Sequence, residues 1–108
     1  MDKMNELEKQ FQQDLLNACD ISKQELNYNP TYFLRMLYEL GAVEAAIRLV
    51  SSPDPAEGFT KLWEHQRLDL SVEAHVIKDQ YKDLFTPEVI EKARKRLEDY
   101  EFFKKGNR

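Results

Sequence analysis

Only one cysteine, three glycines and four prolines occur among the 108 residues, and each scarcity removes a class of structure. With Cys19 alone, no disulfide can form within the chain and a four-thiolate zinc site is excluded. A reducing, cytoplasmic setting is the simpler expectation. Gly41, Gly58 and Gly106 are too few and too scattered to build the glycine-rich phosphate cradles of nucleotide-binding loops. No apolar run approaches the roughly 18 residues that a membrane span requires, and residues 1–16 are studded with Asp, Glu, Lys and Gln. Neither secretion nor membrane insertion is expected.

What remains favours helices. Hydrophobic residues make up 42% of the chain, with six Phe, five Tyr and one Trp, enough to form one core. Leu, Glu, Lys, Gln and Ala dominate over β-branched residues, so local propensity leans helical. The expected organisation is a single all-α domain over residues 1–108, a compact irregular bundle of about six helices, with residues 103–108 fraying as a charged tail. Net charge is −4, which offers no general attraction to nucleic acid or anionic lipid. Residues 86–108 are mildly basic, but Arg94, Lys95 and Arg96 alternate with Glu98 and Asp99 as on a solvated helix face.

The apolar positions Met4, Leu7, Phe11, Leu15, Ala18 and Leu26, with Ser22 as a weak member, recur every three or four residues and predict a first helix over 3–26. Asn29-Pro30 predicts a new start, with Asn29 as cap and Pro30 at the first helical position. A second helix over 30–40 shows Phe33, Leu34, Leu37 and Leu40 and stops at Gly41. Val43, Ala46, Ile47 and Val50 predict a third over 42–51, closed by the loop Ser51-Ser52-Pro53-Asp54-Pro55. Phe59, Leu62 and Trp63 mark a fourth over 56–66. Leu68 to Ser71 alternates like a strand but has no partner, so it reads as a connector that offers Ser71 or Asp69 as cap to a fifth helix containing Val72, Ala74, Val76 and Ile77. Thr86-Pro87 opens a sixth, with Val89, Ile90, Ala93, Leu97 and Tyr100 on one face.

Chemistry-bearing clusters are few. His65 and His75 lie ten residues apart among Glu64, Asp69 and Glu73, a set that a small hydrolase or nuclease would need to gather in one pocket. Their spacing follows no metal-ligand grammar, so neither a metal nor any other cofactor is expected. Helices 30–40 and 42–51 flank the corner at Gly41 as in helix-turn-helix DNA-binding motifs, yet residues 42–50 offer only Glu44 and Arg48 as polar groups for reading bases. The densest segment runs from Trp63 to Glu73. Trp63 and Arg67 are residue types enriched at protein interfaces. The favoured reading of these residues is nevertheless that Trp63 fills the core while Arg67 pairs with Asp69 or Glu73 to fix the connector, the interface anchor being the alternative.

The stretches Asn29 to Leu37, Gly58 to Glu64 and Arg67 to Ala74 resemble the pattern N-P-T-x-F-L-x-M-L followed by G-F-x-x-L-W-E-x-x-R-L-D-L-S-V-E-A of a family of small bacterial all-helical proteins of uncharacterised function. The similarity covers about two thirds of the chain, from Tyr28 onward. The family pattern has glycine at the place of Gln66 and an apolar residue at that of His75, so the resemblance lends neither histidine a shared catalytic role. It implies a self-contained bacterial helical module and carries no reaction. The leading expectation is therefore a non-enzymatic protein-interaction or accessory module centred on Trp63, Glu64, Arg67, Asp69 and Glu73. Nucleic-acid binding and hydrolysis are the alternatives.

Overall fold

The computed structural model describes residues 3–103 and contains six α-helices: α1 Lys3–Leu26, α2 Thr31–Leu40, α3 Ala42–Ser51, α4 Glu57–Glu64, α5 Val72–Val76 and α6 Pro87–Asp99. Short 3-10 segments at Leu68–Leu70 and Asp79–Leu84 flank α5, and among the described residues there is no strand. The Leu68 to Ser71 alternation is thus a turn, as its lack of a partner required. Residues 104–108 of the expected tail, Gly106 among them, and the side chain of Met4 lie outside the described residues.

α1 forms because its inward stripe stays apolar over six turns. Phe11, Leu15 and Ala18 are buried, and Ser22 joins them by donating its hydroxyl to the Ala18 carbonyl at 3.0 Å, which satisfies its only donor. Phe11 meets Tyr81 and Phe85 edge-on at 5.0 and 5.3 Å, joining the first helix to the chain beyond α5. The Tyr81 hydroxyl donates to the Asp14 carboxylate, and burial together with that contact pushes its pKa up to about 12.

α3 is the central element. It packs on α1, α2, α5 and α6, and its small residues Ala42, Ala45 and Ala46 let those neighbours approach closely. Gly41 has φ 87° and ψ 160°, a region essentially restricted to glycine, and its N–H still closes α2 on the Leu37 carbonyl at 2.9 Å. A smaller second core joins Phe59, Leu62, Leu68 and Leu97, with Tyr100 and Phe102 packed against it.

Several boundaries differ from the sequence reading, among them α4, expected over 56–66 and ending at Glu64. Asn29 does not cap α2: the cap position is Pro30, with no side-chain hydrogen bond, and the Asn29 carbonyl instead accepts the Thr31 N–H at 2.8 Å. The fifth helix is one and a half turns only, because Ser71 caps it by accepting the Ala74 N–H at 3.1 Å and the chain turns into 3-10 geometry at Asp79. Thr86 caps α6 as expected, accepting the Val89 N–H at 3.2 Å.

Candidate functional site

The Trp63 to Glu73 segment begins in the last turn of α4. Leu62, Trp63 and their neighbours end that helix in a six-residue closure, with the Arg67 N–H donating to the Leu62 carbonyl at 2.8 Å and the Gln66 N–H to that of Trp63 at 3.0 Å. This closure forces Gln66 to φ 58°. It throws Trp63 outward and swings Arg67 back toward α1.

Trp63 does not fill the core: it is 45% exposed, with its ring standing edge-on against Tyr100 at 5.4 Å. Phe59 takes the inner place, meeting the same Tyr100 ring edge-on at 5.0 Å. Glu64 and His65 point to solvent beside it.

Arg67 pairs with Asp69, as one sequence alternative held, through Nε to Oδ1 at 3.1 Å and Nη2 to Oδ2 at 3.3 Å. Its Nη1 also reaches Glu25 of α1 at 2.6 Å, a contact across 42 residues that ties the connector to the first helix. It does not pair with Glu73. That carboxylate is buried and meets Arg96 of α6 at 3.0 Å. Arg96, expected on the solvated face, is therefore an interior group: the same Nη1 donates to the Leu49 carbonyl at 3.1 Å and Nη2 to that of Ser52. One guanidinium thus joins α6, α5 and the end of α3. Burial raises the Glu73 pKa above its ordinary value, with its own backbone N–H and then Arg96 opposing the rise.

His75 is also buried, and its Nδ1 donates to the Ser71 carbonyl at 2.7 Å. Burial lowers its pKa, so the ring is held neutral. The five residues of the hydrolytic alternative do not converge. Glu64, His65 and Asp69 are exposed, Glu73 and His75 are interior with separate partners, and no group of three metal-ligating side chains occurs among the described residues.

Nor does α3 present a reading face. Its exposed polar side chains are Glu44, Arg48 and Ser51, and the first two pair with each other at 3.3 Å. Its remaining surface is turned toward its four packing neighbours.

Beside the segment, Leu70, Ser71, Val72 and Glu73 form one wall of an apolar cleft whose other walls come from α1, the Tyr28 to Phe33 stretch and α4. Cys19 lines it as a buried thiol, its pKa pushed up to about 11 chiefly by that burial. Sequence reasoning missed this cleft, Arg96 and Glu25. For Arg96 a signal was present: positions 89, 93, 96 and 100 recur at helical spacing, which places the arginine on the inward stripe. Arg67 to Glu25 had no comparable signal, since only the tertiary fold brings the two together. The chain matches no protein-family model, no curated protein and no solved structure.

Proposed function

We propose that this chain is a non-enzymatic interaction module that meets a protein partner through the aromatic end formed by Trp63 and Tyr100. One observation carries the reading. Within the segment, Arg67, Asp69 and Glu73 are engaged in holding the fold, while the large indole is left half in solvent on the edge of a second ring. A Trp that is held in place by an aromatic neighbour and still accessible is the kind of side chain on which binding energy concentrates. Its fixed orientation also reduces the entropy lost on docking.

The resemblance to small bacterial helical domains supports a bacterial setting, and the lone, buried Cys19 is in keeping with a reducing cytoplasm. Among the described residues no helix is long and apolar enough to cross a membrane. The inward packing of α3 and the dispersal of the acidic and histidine side chains leave nucleic-acid binding and hydrolysis with less support than a protein contact.

The test compares what the tagged wild type and Trp63→Ala retain from a bacterial lysate by quantitative mass spectrometry, with a thermal melt as folding control. A hot-spot loss of about 2 kcal/mol or more corresponds to partner depletion of roughly 30-fold in the variant. Equal retention by the two folded proteins removes the aromatic end as the contact.

A further inference from the structure

The cleft beside α5 has a volume of about 150 Å³ and is lined by side chains such as Leu15, Ala18, Phe59, Leu62 and Val72. An apolar cavity on the order of 150 Å³ admits a molecule of single-ring size, benzene being the reference case. Most polar groups in its walls are already engaged. The Ser22 hydroxyl donates to the Ala18 carbonyl at 3.0 Å, Ser71 donates to that of Leu68 at 2.7 Å, and Glu73 is paired with Arg96 at 3.0 Å. Cys19 is a neutral thiol. Tyr28 differs: it is half-buried at the wall, and its hydroxyl has no hydrogen bond to another described residue and is reached by solvent. Gly58 leaves room for it, since a Cβ there would lie 3.4 Å from that hydroxyl.

We infer that this cleft is a binding site for a compact, neutral, single-ring molecule that forms one hydrogen bond with the Tyr28 hydroxyl. Neutrality follows from the walls. An anion would face Glu57 and Glu73, and a cation would leave water for a surface whose buried carboxylate already has a partner. Trp63 does not line the cleft, so the inference stands apart from the aromatic end and its protein contact.

The experiment titrates the full chain with phenol, toluene, benzoate and benzylamine and follows backbone amide shifts. Saturable shifts for phenol and toluene, centred on residues that line the cleft in α1, α4 and the approach to α5, are expected. Phenol should bind roughly three- to tenfold tighter than toluene, the worth of one net hydrogen bond. Tyr28→Phe should erase that preference while leaving toluene unchanged. Benzoate and benzylammonium should bind at least about tenfold more weakly than phenol, given the cost of desolvating a charge. Ala56→Leu, which adds bulk at the partly exposed start of α4, should abolish binding of both neutral rings. Absence of saturation with phenol and toluene, shifts centred elsewhere, benzoate binding as tight as phenol, or a phenol preference that survives Tyr28→Phe each overturns the inference. Should Ala56→Leu fail to melt cooperatively, wild-type mapping and Tyr28→Phe still decide it.

Discussion

Arg67 and Arg96 carry the same charge and differ in almost everything that sets its worth. Arg67 is 32% exposed and its partners Glu25 and Asp69 more than half so, which leaves its ion pairs screened by solvent. Arg96 is 11% exposed against a carboxylate at 4%, and removing it would leave the buried Glu73 carboxyl without its ion-pair partner. Urea unfolding should therefore show a loss of about 3–5 kcal/mol for Arg96→Ala but under about 1 kcal/mol for Arg67→Ala. Joint replacement by Glu73→Gln and Arg96→Met should recover much of the larger loss. Comparable losses for the two single variants would mean that Arg96 is not the buried clamp. The sequence placed emphasis on Arg67 because it sits in a conspicuous cluster. Arg96 was masked by a run of charged neighbours, although its register with Ala93 and Tyr100 put it on the packed side.

Helix ends were the less legible part of the fold, and their geometry shows why. The span of α1 and the caps at Ser71 and Thr86 follow from side chains whose chemistry is local. Two other ends depend on left-handed backbone at residues that do not advertise it: Gln66 at φ 58° and Glu101 at φ 61°, each closing its helix with paired backbone bonds to the preceding turn. A non-glycine residue there opposes its own steric preference by about 1 kcal/mol. Gln66→Gly should accordingly raise stability by roughly 0.5–1 kcal/mol in denaturant unfolding. Gly41→Ala should do the reverse, costing about 1–3 kcal/mol although nothing lies within 4 Å of the added Cβ, because ψ 160° at φ 87° is strained for any side chain. A neutral result at both positions would show that these ends relax freely. The cleft was illegible for a further reason: its walls come from segments whose proximity no local pattern encodes.

At the scale of the whole molecule, two interior groups pull the pH dependence of stability in opposite directions. The His75 pKa lies below its ordinary 6.5, so the unfolded chain binds the extra proton first, and stability present above pH 6.5 is lost as pH falls below it. Lys78 adds to that depression, while the Ser71 carbonyl and the charges of Asp14 and Asp69 oppose it. Glu73 lies above its ordinary 4.5, so its contribution is present below that value and is lost as pH rises through the folded pKa. Melting curves between pH 4.5 and 7.5 should separate them. In His75→Asn, whose amide can still donate to the Ser71 carbonyl, the loss on acidification below pH 6.5 should shrink relative to wild type. In Glu73→Gln the loss on raising pH above 4.5 should shrink instead. Parallel curves for wild type and both variants would mean that neither group titrates differently on folding.

The position of Trp63 also gives the molecule a built-in optical probe. As the chain's single indole, it dominates intrinsic fluorescence, and its ring rests on Tyr100 just beyond α6 rather than in the core around Phe11. Its emission reports whether the end of α6 is docked on α4. Amide exchange around Phe11 and Tyr81 reports the other core. Fraying of the turn at Tyr100 alone would thus change emission colour while the Phe11 and Tyr81 packing stayed protected, so the two signals together distinguish local fraying from global unfolding.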